Sequence, residues 1–82
     1  MNKEITIAVV EDDDNLRFLV SHRLQTENYN VIQCSDGLEA EKLILESSPD
    51  IVLLDWMLPG KEGIEVCEGI RKAGFENIII MM

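Results

Sequence analysis

Short apolar runs, separated by longer stretches of mixed polarity, limit the folds that this chain can adopt. The segments "ITIAVV" (5–10), "IVLLD" (51–55) and "NIIIMM" (77–82) show almost no alternation of polar and apolar residues. Strands with this pattern are buried on both faces, as in parallel sheets that are covered by helices. A shorter strand is predicted at "NVIQC" (30–34), which makes four strands in all.

The spacing of apolar residues between these strands predicts three helices. The first begins at Asn15, with Asp14 as its N-cap, and runs to about residue 28. The second covers residues 38–47, and the third covers residues 64–73. The residues predicted to face the sheet are Leu16, Leu19, Val20 and Leu24 in the first helix, Ala40, Leu43 and Ile44 in the second, and Val66, Cys67 and Ile70 in the third.

The element order is therefore βαβαβαβ, with short connections. This order predicts an α/β domain in which helices cover both faces of one parallel sheet. The 82 residues are enough for one small domain. In sheets of this kind, ligands bind in the crevice at the carboxyl ends of the strands.

The charge balance excludes one class of function for this segment. Sixteen acidic and 7 basic residues give a net charge of −9, whereas binding to nucleic acid requires basic patches. No apolar run reaches the roughly 18 residues of a membrane span, and the N-terminus has no secretory pattern. Cys34 and Cys67 lack the spacing of a zinc site or a disulfide framework. We therefore expect a cytoplasmic protein with buried, reduced thiols.

Acidic residues follow two of the predicted strands. Glu11, Asp12 and Asp13 come after the first, and Asp55 ends the third. Each acidic segment taken alone is explained by a solvated turn. If the first and third strands are neighbours, however, their ends lie about 5 Å apart, and Asp55 lies beside the acids that follow the first strand. Clustered carboxylates repel one another, and a hard cation such as Mg²⁺ relieves the repulsion. A carboxylate beside Mg²⁺ is placed to attack phosphorus and form an acyl phosphate.

The segments "IAVVEDD" and "DIVLLDWMLPGKEG", together with the βα alternation, resemble the receiver domain of bacterial two-component response regulators. The resemblance covers the whole chain and implies a flavodoxin-like, doubly wound sheet of strand order 2-1-3-4. It implies that Asp55 is the phosphoacceptor for a sensor histidine kinase. It also implies that Mg²⁺ is bound by Asp12, by Asp55, by the backbone carbonyl of Met57 and, through water, by Glu11. A receiver catalyses only its own phosphorylation and dephosphorylation, so no other enzyme activity is expected.

The chain departs from this family after the fourth predicted strand. Helix 4, strand 5 and helix 5 are absent, as are the hydroxyl residue after strand 4 and the Lys after strand 5. We therefore expect residues 1–82 to be the N-terminal two-thirds of a receiver domain, impaired in phosphorylation. A homodimer or swapped assembly is expected through strand 4 or the uncovered sheet face. Lys61 is expected to sit in solvent, and the acceptor segment resembles those of DNA-binding, transcription-regulating members.

Three other interpretations stay open. The pattern S-H-x-L-x-T at residues 21–26 resembles the phosphorylated-histidine box of sensor kinases, although His22 should face water on the first helix. Phosphohydrolases of the haloacid-dehalogenase type carry a second Asp two residues after the nucleophile, where this chain has Met57. The third interpretation is a structural association fragment without signalling activity. Trp56, next to the acceptor, is expected to be exposed.

Overall fold

The computed structural model describes residues 4–82, which form a four-stranded parallel sheet and three helices. In chain order the elements are β1 (Thr6–Val10), α1 (Asp14–Thr26), β2 (Asn30–Cys34), α2 (Gly37–Ser47), β3 (Ile51–Leu54), α3 (Gly63–Lys72) and β4 (Ile78–Met81). The strand order is β2-β1-β3-β4, and each neighbouring pair is parallel. The predicted fold class and strand order are therefore confirmed.

Two expectations concern secretion and the membrane. Within the described part of the chain, no helix is long and apolar enough to cross a bilayer. Residues 1–3, which belong to the segment tested above for a secretory pattern, lie outside the described residues.

One face of the sheet carries the hydrophobic core, beneath α2 and α3. Alternate residues of β1 and β3 point to this face, because side chains along a strand alternate between its two sides. The inward faces predicted for the second and third helices are confirmed, with Leu43 and Cys67 partly buried at the margin. The fully buried members of this core are Ala8, Val10, Val52 and Leu54 from the strands, and Ala40, Ile44, Val66 and Ile70 from the helices.

The opposite face, which we call the open face, is only partly covered. Helix α1 packs against β1 and β2 on this side. On β4, Ile78 and Ile80 point to this face and remain 57% and 47% exposed. Because α1 lies over only one half of the sheet, no helix within residues 4–82 shields the apolar side chains of the other half.

The predicted inward stripe of α1 is half wrong. Val20 and Leu24 are partly buried, and Ser21 between them is buried. Leu16 and Leu19, which were predicted to face the sheet, are 46% and 63% exposed. A helical apolar stripe is buried only where a second surface meets it, and α1 meets the sheet along a narrower strip than its sequence pattern suggests.

The boundaries of α1 also differ from the prediction. Asp13, rather than Asp14, is the N-cap, and its side chain accepts a hydrogen bond from the N–H of Leu16 at 2.9 Å. The helix ends at Thr26 instead of near Asn28. Asn28 has a φ of 69°, a left-handed conformation that cannot continue a right-handed helix.

The two cysteines are free thiols, as predicted. Cys34 is buried at the end of β2, and burial raises the pKa of its thiol. Cys67 is half-buried on α3. The prediction of a buried thiol is therefore confirmed in full for Cys34 and in part for Cys67.

The buried hydroxyl of Ser21 provides a test of how α1 packs on the sheet. Ser21 is 2% exposed, and its Oγ has no hydrogen-bond partner among the described residues. Ser21→Ala removes an unsatisfied buried hydroxyl and improves helix propensity. We therefore expect the free energy of unfolding, measured by urea denaturation, to rise by about 1 kcal/mol.

Ser47→Ala is the matched control, because Ser47 lies exposed in the last turn of α2. Its effect on the free energy of unfolding should stay within about 0.5 kcal/mol. If Ser21→Ala were less stable than the wild-type chain, the hydroxyl of Ser21 would have to be hydrogen-bonded in solution.

Candidate functional site

Three carboxylates meet at the carboxyl ends of β1 and β3. Val10 pairs with Leu54 in the sheet register, and the N–H of Asp55 donates to the carbonyl oxygen of Val10 at 2.9 Å. One carboxylate oxygen from each of Glu11, Asp12 and Asp55 lies within 4.8 Å of the other two. Three of the four acids that the sequence predicted to converge therefore lie together, and we call these three the acidic cluster; the fourth, Asp13, instead caps α1. The roles of the three as metal ligands and phosphoacceptor stay predictions.

The members of the acidic cluster differ in exposure. Glu11 is only 4% exposed, Asp55 is half-buried and Asp12 is exposed. Burial raises the pKa of the Glu11 carboxyl. A hydrogen bond from the N–H of Asp13, at 3.0 Å, lowers this pKa, and the charge of Asp55 raises it again. A buried carboxylate beside two others is costly, and a bound cation would offset that cost.

The donor set of the acidic cluster fits a hard divalent cation. Mg²⁺ prefers oxygen ligands and is commonly bound by one or two carboxylates while it keeps several waters. Asp12 and Asp55 are open to solvent on one side, which leaves room for such waters. Met57 follows closely, and its N–H donates to Oδ1 of Asp55 at 3.2 Å. The proposed ligand role of the Met57 carbonyl stays a prediction.

A cleft of about 280 Å³ lies beside the acidic cluster. Because one water occupies about 30 Å³ in the liquid, this volume leaves room for several waters beside Asp12 and Met57. The cleft is open to solvent and bordered by both predicted ligand segments. Its lining residues are Asp12, Met57, Leu58, Pro59 and Glu62.

The loop that joins β3 to α3, residues 55–62, depends on two close backbone approaches. The N–H of Gly63 donates to the carbonyl oxygen of Trp56 at 2.9 Å. A Cβ on Gly63 would overlap the carbonyl oxygen of Asp55 and lie 2.6 Å from Cα of Trp56. At the other side of the loop, the N–H of Gly37 donates to the carbonyl oxygen of Pro59 at 3.1 Å. Both glycines are therefore required because a side chain would displace this loop.

Lys61 does not stand free in solvent, contrary to the prediction. Its Nζ forms an ion pair with the carboxylate of Glu41 on α2. The Lys61 side chain is 33% exposed and that of Glu41 is 23% exposed. The two residues are far apart in sequence, so no local spacing could have indicated the pair.

Arg17 is a neighbour of the acidic cluster that the sequence analysis did not single out. Its guanidinium donates to the backbone carbonyl oxygen of Glu11 at 2.9 Å and to Oδ1 of Asp14 at 2.7 Å. The contact with Asp14 joins residues three apart on one helix, a spacing that the sequence does show. The contact with Glu11 ties the first turn of α1 to the end of β1.

His22 and Trp56 lie where the sequence predicted. His22 is exposed on α1 and stacks on Phe18, with ring centroids 5.8 Å apart. The structure continues from α1 into a β-strand, which contradicts the helical hairpin that a sensor-kinase histidine box requires. Trp56 is 61% exposed next to Asp55 and can report on binding there.

Comparison with known proteins finds a family match over nearly the whole chain. A model of the response regulator receiver domain matches residues 7–82. The BeF₃-activated N-terminal receiver domain of RstA from Klebsiella pneumoniae is 36% identical, with a TM-score of 0.87 over 93% of this chain. A two-component response regulator of the LuxR family from Aurantimonas sp. SI85-9A1 is 31% identical, with a TM-score of 0.87 over 96% of this chain.

The signal receiver domain of the putative response regulator NarL from Mycobacterium tuberculosis is also similar. It is 27% identical, with a TM-score of 0.91 over 98% of this chain. The present chain spans 64% of the RstA chain, 58% of the Aurantimonas chain and 66% of the NarL chain.

The close approach of Gly63 to Asp55 gives a prediction about the loop. Gly63→Ala places a methyl group against the Asp55 backbone, and overpacking of this kind typically costs about 1–3 kcal/mol. We expect a lower thermal unfolding midpoint, measured by circular dichroism.

Gly69→Ala is the control, because a Cβ there meets only the flexible end of the Glu41 side chain. Alanine is favoured over glycine inside a helix by about 1 kcal/mol, so this variant should be as stable as the wild-type chain or more stable. Equal midpoints for the two variants would contradict the close contact at Gly63.

Proposed function

This chain belongs to the response regulator receiver domain family, and on that basis we propose that it accepts a phosphoryl group from a sensor histidine kinase onto Asp55, with Mg²⁺ at the acidic cluster. Receiver domains are signalling modules that histidine kinases phosphorylate. The observation that carries the proposal is the meeting of Glu11, Asp12 and Asp55 within 4.8 Å at the ends of two paired strands. The adjoining cleft leaves room for several waters beside Asp12 and Met57.

The roles of individual residues follow from their positions. The N–H of Met57 holds Oδ1 of Asp55, so the carboxylate is oriented and its other oxygen is left to attack. That oxygen forms a bond to the phosphorus of a phosphohistidine, the P–N bond breaks, and the imidazole leaves with the electron pair. Asp12, Asp55 and the Met57 carbonyl would hold Mg²⁺ directly, and Glu11 would act through a water. When bound, the ion would offset negative charge on the phosphoryl oxygens.

We propose that residues 1–82 correspond to the first two-thirds of a receiver domain. The chain spans 64% of the RstA receiver, which supports this assignment. Phosphorylation of these residues alone should be impaired, because the hydroxyl and Lys that the family places after strands 4 and 5 are not among them. The resemblance of "LLDWMLPG" to DNA-binding regulators supports transcription regulation as the role of the parent protein, and the free thiols fit a cytoplasmic location.

The open face supports a proposal about assembly. Strand β4 is an edge strand, and Ile78 and Ile80 on it are exposed. A second copy of the chain that pairs with β4 or covers the open face would bury several hundred Å² of apolar surface. At about 25 cal/mol per Å², this burial contributes several kcal/mol. The charge of −9 on each copy opposes the contact, so added salt should strengthen it.

The alternative function is a structural association fragment with no signalling chemistry. The exposed edge and open face favour it as much as they favour a dimeric receiver. The phosphohydrolase interpretation is disfavoured, because Met57 stands where that family has its second Asp. A measurement of ligand binding at Asp55 separates the receiver from the association fragment.

The proposed acceptor site predicts a response to a phosphoryl mimic. Mg²⁺ with beryllofluoride should change the fluorescence of Trp56, which is exposed beside Asp55. Asp55→Asn should weaken the response at least about tenfold, since even residues behind a metal ligand contribute 10- to 100-fold to affinity. After reaction with a phosphodonor, hydroxylamine should convert the acyl phosphate to a hydroxamate.

The control for this experiment is Glu76→Gln, which removes one charge from the opposite edge of the sheet. Glu76 is exposed and precedes β4, so it lies near the amino ends of the strands. If Asp55→Asn responds to the mimic as strongly as Glu76→Gln and the wild-type chain do, the acceptor role of Asp55 is wrong. If the wild-type chain itself does not respond, the association fragment is favoured.

The assembly proposal predicts a dimer in size-exclusion chromatography with light scattering. Ile80→Lys places a charge on the open face and should weaken dimerisation at least about tenfold, because a buried unpaired charge is costly. Leu45→Lys, at a partly exposed position on α2, is the control and should leave the dimer unchanged. A monomeric wild-type chain at micromolar concentration would contradict the proposal.

A further inference from the structure

The ion pair between Lys61 and Glu41 joins the β3–α3 loop to α2. We propose that this pair is a positioning device, which holds the loop against α2 and thereby sets the affinity of the acidic cluster for a divalent cation. The inference rests on the metal site proposed above, but it concerns two residues outside that site.

The first turn of α2 is the surface on which the loop lies. The N–H of Gly37 donates to the carbonyl oxygen of Pro59, and a Cβ on Gly37 would overlap the carbonyl oxygen of Lys61. A Cβ on Gly60 would lie 2.9 Å from Cγ of Leu38. The loop backbone therefore follows the α2 backbone closely at successive residues, and a shift of either one moves the other.

Lys61 adds an ion pair with Glu41 to these backbone contacts between the loop and α2. Its partner Glu41 is enclosed on the other side by α3, because a Cβ on Gly69 would overlap the Glu41 carboxylate. Both side chains are less than about a third exposed, so solvent and salt screen this pair less than an ordinary surface pair. The ion pair thus ties the loop to a carboxylate that lies between α2 and α3.

The restrained loop contains two of the predicted ligands, Asp55 and Met57. It begins at Asp55, whose Oδ1 accepts from the N–H of Met57, and continues through Leu58, which is buried in the core. Leu58 is held in the core and Lys61 is held by Glu41, so the backbone between them has little room to shift. The position of Met57, which precedes Leu58, is restrained as a result. Groups that hydrogen-bond directly to a metal ligand commonly contribute 10- to 100-fold to metal affinity, and a restraint on the loop that carries Asp55 and Met57 should act in the same direction, at the lower end of this range.

Charge and positioning predict opposite effects for the loss of Lys61. If Lys61 acted only as a nearby positive charge, its removal would strengthen cation binding, because it would make an acidic region more negative. If Lys61 positions the loop, its removal weakens cation binding. The sign of the change therefore separates the two roles.

The experiment compares Lys61→Met with Lys42→Met, which removes the same charge from an exposed position on α2. Mg²⁺ affinity is measured by titration calorimetry and by Trp56 fluorescence. We expect Lys61→Met to bind Mg²⁺ about tenfold more weakly than Lys42→Met. The exchanged pair, Lys61→Glu with Glu41→Lys, should recover most of the lost affinity. Binding by Lys61→Met that is as tight as that of Lys42→Met would overturn the proposal.

A measurement without metal tests the restraint directly. Amide hydrogen exchange should be faster at Gly37 and Gly63 in Lys61→Met than in the wild-type chain, because both N–H groups bond to loop carbonyls. Lys42→Met should leave these rates unchanged. Unchanged rates in Lys61→Met would overturn the positioning role. If exchange is faster in Lys61→Met but the wild-type chain binds no Mg²⁺, the proposed metal site and its link to the ion pair are wrong. The restraint of the loop by the ion pair would still stand.

Discussion

The parallel pairing of β1 with β3 is the interaction on which the rest of the structure depends. It aligns Val10 with Leu54, so the residues that follow each strand emerge side by side although they are distant in sequence. Both strand ends are fully buried and therefore define a rigid edge. At that edge each chain segment leaves the core within one or two residues. Glu11 is still buried and Asp12 is exposed, while Asp55 is half-buried and Trp56 is exposed.

The two sides of the sheet have different roles because they are packed differently. The core side, under α2 and α3, is closed and supports the loop that contains Asp55. The open side leaves Ile78 and Ile80 exposed. Its contacts with the acidic cluster come from the start of α1, where Asp13 and Arg17 hydrogen-bond to Glu11. Because these contacts come from α1 and the exposed isoleucines lie on β4, a substitution at Ile80 need not alter the acidic cluster.

The sequence predicted what depends on local pattern. Continuous apolar strands and their alternation with helices were sufficient for a parallel sheet covered by helices, whereas the strand order came from the resemblance to receiver domains. With the first and third strands as neighbours, the acids that follow them were sufficient for the acidic cluster. The prediction of the inward face of α1 was partly wrong, because an apolar stripe in the sequence does not show how wide a surface the helix packs against. Leu19, for example, belongs to the stripe but is exposed. Because four acids are consecutive, the sequence did not distinguish Asp13 from Asp14 as the N-cap of α1. The ion pair of Lys61 with Glu41 joins residues distant in the sequence, so no local sequence pattern predicts it.

The segment after Asp55 is shaped by packing and by backbone conformation. Leu58 is buried as an anchor, the carbonyl of Pro59 accepts a hydrogen bond from α2, and Gly60 adopts a φ of 80° that favours glycine. Gly63 allows α3 to approach the Asp55 backbone. These residues shape a loop and supply no side-chain chemistry. The family resemblance in this segment is therefore carried mainly by packing constraints, and the carboxylates depend on that packing for the arrangement that would bind a cation.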